Sequence, residues 1–182
     1  MSTEARYSTP AIALHWLIAL LIFVAFPLGV YMVDLPLSPD KLKLYSYHKW
    51  IGVSVFLLVA VRLSWRLTHT PPLLPGDIAA WQRRASAVVH GLLYLLMIAI
   101  PLSGWLMSSA KGFQTVWFGV LPLPDLIGKN RELGELLAGV HKALNFTLLG
   151  LVILHVGAAL KHHFIERRPF LQRMGLGRKE RT

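Results

Sequence analysis

The sequence predicts an all-α integral membrane protein: a four-helix transmembrane bundle forming one domain over residues 1–182, with both termini in the cytoplasm. Three observations predict it. Residues 7–33, 85–110 and 143–160 each run for a membrane-spanning length without Asp, Glu, Lys or Arg. A fourth stretch, "YSYHKWIGVSVFLLVAVRLSWRL", spans fully if Lys49 and Arg62 snorkel to the headgroups. The chain is 54% hydrophobic, too apolar for a soluble domain to cover four such segments with polar surface.

In chain order, helix one covers about residues 11–33. Its apolar run is too long for a signal-peptide core and has no small-residue cleavage site after it, so it is a retained span. "VDLPLSPD" ends it, because proline cannot continue the hydrogen-bond ladder. Helix two covers about 44–67 and ends at "THTPPLLPGD". Helix three covers about 85–109. The longest connection, from Lys111 to about Asn130, holds "VWFGVLPLPD", whose Trp117 and Phe118 suit an outer interface. Asn130 before "RELGELLAGV" is a capped start, and helix four, about 131–165, begins outside the bilayer as an amphipathic extension.

With four spans, both termini face one side. Of the 19 Lys and Arg, twelve fall on that side: Arg6, Arg62, Arg66, Arg83, Arg84, Lys161, Arg167, Arg168, Arg173, Arg178, Lys179 and Arg181. Positive-inside bias makes it cytoplasmic, in a bacterial inner membrane crossed several times. The net charge of +10 is then mostly topology, and "RRPFLQRMGLGRKERT" is expected as a solvated tail near anionic lipid. Nucleic acid is not a partner, since no folded soluble domain carries the basicity. The absence of cysteine removes disulfides, iron–sulfur clusters of the usual ligation and covalent CxxCH haem, so any haem is held non-covalently.

Helix direction sorts the histidines into two layers. His15, His90 and His155 lie toward the cytoplasmic side, and His48 and His141 toward the outer side. His141 and His155 are fourteen residues apart, which leaves them about 40° apart around the helix axis and separated by roughly 21 Å along it. His162, seven residues further on, stays on that face near the surface. Intramembrane imidazoles are expensive unless paired. Hydrogen bonds to serine, carbonyl or water are the plain alternative for any one of them, but do not explain matched depths. Bis-histidine haem does, because iron takes nitrogen ligands from opposite porphyrin faces at one depth. Gly52, Gly91, Gly150 and Gly157 leave room for a flat macrocycle, although helix packing calls for glycines equally. Zinc fits poorly: there is no HExxH, and two layers would split the ligands across the bilayer.

"ALHWLIALLIFVAF", "YHKWIGVSVFLLVAVRLSWRL", "VVHGLLYLLMIAIPLSGWLM" and "VHKALNFTLLGLVILHVGAALKHHF", in this order, resemble the four helices of the bacterial cytochrome b561 family. That family is related to the cytochrome b subunits of nickel hydrogenases and formate dehydrogenases. The resemblance covers about residues 7–170. It implies two b haems between helices one, two and four, with His15 and His155 ligating the cytoplasmic-side haem and His48 and His141 the outer one. Depth alone leaves His15 and His90 as rival partners of His155; the resemblance decides for His15.

His90, His162, Arg66, Arg83 and Arg84 are then candidates for a quinone-headgroup pocket or for haem propionates. Hydrogen bonding between helices and snorkelling are the plain alternatives. Arg62 is the first choice of propionate partner, with Lys49 and Lys142 its outer counterparts; His69 and His163 read as interfacial residues. Lys41, Lys43, Lys111, Lys129 and Arg131 on the outer connections would draw a small anionic donor or simply keep the loops solvated.

The implied activity is that of an oxidoreductase moving electrons between an outer donor, small and anionic such as superoxide or a protein, and ubiquinone or another quinone. Family members that oxidise superoxide resemble this short chain. Two rival readings are a membrane anchor of a larger hydrogenase- or dehydrogenase-type complex, and a haem-free scaffold or transporter.

Overall fold

A computed structural model of the chain describes residues 6–73, 78–168 and 170–176. Four long helices dominate it: α1 (Thr9–Val33), α2 (Pro39–Thr68), α3 (Ala80–Ala110) and α4 (Arg131–Leu160), the last prolonged by a π turn, Lys161–Ile165. All four are long and apolar enough to cross a membrane, and most of each outward face is exposed, as lipid contact requires.

Local chemistry sets the helix ends. α2 begins five residues before the hydrophobic run alone suggests, because Ser38 accepts from the Lys41 N–H and Pro39 pre-sets the first turn. α3 likewise starts at Ala80, well before its uncharged stretch. α4 starts where the sequence places it, with the Asn130 side chain accepting from the Leu133 N–H.

The packing is pairwise. α3 lies closely on α4, α1 on α2 and, less extensively, α2 on α3, whereas α4 is held off from α1 and α2. Ile18, Val55 and Val59 close the α1–α2 seam, and Leu93, Leu96, Ile100 and Leu148 the α3–α4 seam. In lipid such seams gain from close packing rather than from escaping water.

The connection between α3 and α4 folds over one end of the bundle. Strands β1 (Val116–Trp117) and β2 (Leu121–Pro122) pair antiparallel, and Phe118 and Gly119 both take positive φ in the turn between them. Indole N–H groups pin it: Trp50 donates to the Val116 carbonyl (2.7 Å), Trp105 to Pro124 (3.0 Å) and Trp117 to the Ser54 hydroxyl (3.3 Å). Trp117 is half-buried on α2 and Phe118 is exposed.

At the opposite end the chain termini meet, and here one expectation is corrected. The segment from Arg167 to Leu176 is not a solvated tail. A short helix, α5 (Phe170–Arg173), docks on the start of α1: the Tyr7 N–H donates to the Arg173 carbonyl (3.2 Å) and the Trp16 indole to the Met174 carbonyl (2.9 Å). Arg173 is buried at 5% exposure and donates to the Pro72 and Leu73 carbonyls of the α2–α3 connection. A guanidinium reaching two loop carbonyls satisfies three groups together. Arg178, Lys179 and Arg181 lie outside the described residues.

Glu166 anchors the approach to this segment. It accepts from Lys161 Nζ (2.9 Å), His162 Nδ1 (2.7 Å) and Arg168 Nε (3.2 Å). The bonds from Lys161 and His162 hold its carboxyl down, to about 2. A depressed carboxylate stabilises above its ordinary value and loses that contribution as pH falls toward the folded value. The anchoring is therefore expected to persist at neutral pH and weaken progressively between about 4.5 and about 2, read by histidine ring resonances of residues 162 and 163. Arg173→Ala is expected to free the terminal segment, raising tryptic cleavage after Arg167 in bilayer-embedded protein by roughly tenfold, since two charge-assisted bonds are lost.

Candidate functional site

The helices carry the histidines inward at two levels, and at each level a ring from the α1–α2 pair faces a ring from α4 across the gap that holds α4 off. His15 and His155 have ring centres 6.3 Å apart at an interplanar angle of 62°. His48 and His141 have ring centres 6.3 Å apart at 81°. A metal held between two imidazoles needs about 6 Å between ring centres: about 2 Å of metal–nitrogen bond and about 1 Å from nitrogen to ring centre on each side. Both ring-centre spacings match that distance. His90 stands 5.1 Å from His155, about 1 Å too close for the same arrangement.

The layer near the β hairpin is built by backbone. His48 Nδ1 lies 3.1 Å from the Ala25 carbonyl, and His141 Nδ1 lies 3.1 Å from the Ile100 carbonyl. A carbonyl only accepts, so both Nδ1 atoms carry hydrogen and both Nε2 atoms keep the lone pair that a metal takes. Ser103 reinforces one side: its hydroxyl donates to Ile100 O (2.7 Å) and accepts from His141 Nδ1 (2.9 Å).

Each of these carbonyls lies four residues before a glycine on its own helix. A Cβ at Gly29 would sit 2.9 Å from His48 Cε1, and one at Gly104 would sit 3.1 Å from His141 Cε1. The imidazole rests close on the helix backbone at each place, where a Cβ would crowd the ring, more tightly at Gly29 than at Gly104. Pro27 and Pro101 lie within two residues of the two carbonyls. Sequence reading passed over Gly29 and Gly104; the signal was a proline followed within three residues by glycine in a span, once on each helix. A Cβ at Gly52, Gly91, Gly150 or Gly157 meets nothing within 4 Å, so those four glycines press on no histidine.

The layer near the termini is built by a cation. Arg62 Nη1 donates to His15 Nδ1 at 2.9 Å, so His15 carries its own hydrogen on Nε2. Arg62, the propionate partner expected from sequence, is bonded here to His15. Arg62 and Arg66 both lie over the Tyr94 ring, at 5.7 and 5.8 Å, and both line a cleft of about 520 Å³ with Arg6, Trp65, His69 and Tyr94. His69, read from sequence as merely interfacial, stacks on Trp65 at 3.8 Å and 6° and closes the end of α2. Trp65 and Tyr94 went unnoticed, and Arg6 counted only toward topology, because nothing in the chain order joins these residues at one point.

The remaining candidates separate. His90 donates Nδ1–H to the Ser86 carbonyl at 2.7 Å and faces His155. His162 lies in the π turn, paired with Glu166 and stacked on Phe170 at 5.0 Å. His163 bonds the Arg168 carbonyl. Arg83 and Arg84 are exposed on the first turn of α3. At the other end, Lys49 donates to the Phe113 carbonyl (3.1 Å) and Lys142 is exposed. Several hairpin-side cations have structural work. Lys41 bonds the Val33 carbonyl, Lys43 pairs with Asp40, Lys111 pairs with Glu135, and the stem of Lys129 covers Gly112.

The family model for prokaryotic cytochrome b561 matches residues 6–177. Cytochrome b561 homolog 2 of Escherichia coli strain K12 is 32% identical over 95% of this chain and 93% of its own length. Cytochrome b561 homolog 1 of the same strain is 29% identical over 96% and 99%. A probable superoxide oxidase of Yersinia pestis is 28% identical over 93% and 95%.

Gly29→Ala and Gly104→Ala each drive a Cβ into a hairpin-side imidazole. Each is expected to cost about 1–3 kcal/mol of stability by overpacking, read as a lowered unfolding midpoint. The ring resonances of His48 and His141 should move while those of His15 and His155 stay in place.

Proposed function

The chain belongs to the prokaryotic cytochrome b561 family, and on that premise we propose that it is a di-haem b-type cytochrome passing electrons from an outer-side donor to membrane quinone. Membership makes it a membrane cytochrome b of electron transfer and implies b-type haem. The finer reading rests on one observation: two histidine pairs at two depths with the same 6.3 Å spacing. His48 and His141 would hold the outer haem, and His15 and His155 the inner one. Bound haem supplies one-electron chemistry at iron, and two imidazoles on each iron leave no open position for oxygen activation.

The residues divide the remaining work. Outer-layer ligands are oriented in advance by the Ala25 and Ile100 carbonyls, which fix the tautomer and raise ligand basicity. At the inner layer His15 must free Nε2, so ligation requires Arg62 to leave Nδ1; its guanidinium then becomes available to a propionate in the cleft it already lines. Lys49 and Lys142 are the outer propionate candidates. For quinone, His90 is the first candidate: its Nδ1 is committed to Ser86, leaving Nε2 to exchange a proton beside the inner pair. Arg66 in the cleft and His162 at the membrane edge support that site, and Arg83 and Arg84 would act only as surface charge. The donor proposed is superoxide, supported by the named activity of the Yersinia pestis relative. The termini face the cytoplasm of a bacterial inner membrane, supported by the lysine and arginine bias.

Reduced-minus-oxidised spectra and haem content of purified variants test the ligand assignment. His141→Ala is expected to lose the outer haem and keep the inner one, and His155→Ala the reverse. His90→Ala is expected to keep both haems and slow quinone reduction by roughly a hundredfold, the usual scale for one general acid–base group. Equal retention of two haems in the His141 and His155 variants overturns the assignment.

A further inference from the structure

The cleft beside the terminal-side layer gathers more positive charge than one haem propionate would neutralise. Arg6 approaches it from the chain ahead of α1, and Arg62 and Arg66 stand one turn apart on α2. Both α2 guanidinia lie over the Tyr94 ring of α3, at 5.7 and 5.8 Å, which holds the planar groups along one wall. Arg62 gives one N–H to His15, and no carboxylate among the described residues pairs with Arg6, Arg62 or Arg66. Three guanidinia around a space of about 520 Å³, without a counter-charge, make a site for an anion.

The rest of the wall is fixed from behind. The Trp65 indole donates to Ser8 Oγ at 3.0 Å, which ties the end of α2 to the entry of α1 and leaves the Ser8 O–H to donate into the cleft. Tyr7 donates its N–H to the Arg173 carbonyl, and Arg173 Nη2 holds the Pro72 carbonyl at 3.0 Å. Gly175, at φ 75° plus a further 10°, comes so near Arg6 that a Cβ there would sit 3.0 Å from Nη2. The docked terminal segment thus sets Arg6, Tyr7 and Pro72 in place around the opening, and gives α5 a use beyond closing the end of the bundle.

We propose that this cleft binds the phosphate of an acidic phospholipid from the leaflet on the side of the termini. Its residues belong to the entry of α1, the last turns of α2 and the connection that follows, the depth at which spans end and headgroups begin. A phosphodiester carries one negative charge and acceptor oxygens that suit guanidinium forks, and the Ser8 hydroxyl adds a neutral donor. A zwitterionic headgroup offers the same phosphate with a cation attached, so the cleft selects lipid of net negative charge. The bound lipid joins α1, α2 and the terminal segment at one point. The site rests on the membrane placement of the chain, and on neither the haem ligands nor the quinone.

The test reconstitutes the full-length haem-loaded protein in vesicles of phosphatidylcholine mixed with phosphatidylglycerol, extracts it in mild detergent and measures the lipid it retains by native mass spectrometry. Wild type is expected to keep phosphatidylglycerol in preference to phosphatidylcholine; no preference overturns the proposal without recourse to any variant. Arg6→Gln with Arg66→Gln should weaken phosphatidylglycerol binding roughly thirtyfold, at about fivefold for each arginine beside an anionic lipid. Arg83→Gln with Arg84→Gln removes two cations from the exposed first turn of α3 and should leave that binding unchanged. Unaltered unfolding midpoints in phosphatidylcholine alone show that the variants are folded. Equal losses from the two arginine pairs reduce the effect to general surface attraction and overturn the site. Inorganic phosphate titrated into wild type should displace the lipid only in large excess, and displacement at matched concentration makes the ligand a free anion and overturns the lipid assignment. Retention by the apoprotein that vanishes on haem loading gives the cleft to the propionates and overturns it as well.

Discussion

An imidazole in hydrocarbon needs partners for its polar nitrogens, and the interior of this protein is arranged around that constraint. Lipid offers no hydrogen bonds, so each intramembrane ring is committed at Nδ1 or faces another ring. His48 and His141 take carbonyls that also belong to helical turns, His90 takes a carbonyl of its own helix, and His15 takes a guanidinium. The paired helices are spaced to suit the rings: α4 lies on α3 and stands away from α1 and α2, where histidines bridge the distance.

The two layers solve the same problem with different materials. The hairpin-side layer uses backbone, which neither moves nor titrates, and its glycines let rings lie against helices without a side chain between them. The terminal-side layer uses Arg62, a long side chain that has alternatives: the cleft it lines with Arg66 and Tyr94 is open beside it. A backbone-held pair is already fixed for the cofactor proposed, whereas an arginine-held pair would have to be rearranged. The terminal-side layer is therefore the more adaptable one, and it is also where His90 adds a third ring.

The ends of the molecule follow the same economy of polar groups. Indoles tie the hairpin over one end of the bundle by N–H bonds to carbonyls and a serine. At the other, Arg173 gathers the carbonyls of the α2–α3 connection while its own backbone accepts from Tyr7, so residues distant in the chain close one surface. Lys161, His162 and Arg168 gather on Glu166, which organises the turn.

By itself the sequence determined the number and order of the spans, the cap at Asn130 and the histidine layers, because these follow from hydropathy, local capping and a helical period that needs no partner. It also carried the family through four ordered motifs. What only tertiary structure decided are relations between helices. The equal 6.3 Å spacings, Gly29 and Gly104 beneath the rings, Arg62 on His15 and Arg173 under the α2–α3 connection each join residues far apart in the chain. Periodicity reports which face of a helix a residue occupies, but not which neighbour that face meets, and the chemistry of a buried imidazole is set by the neighbour.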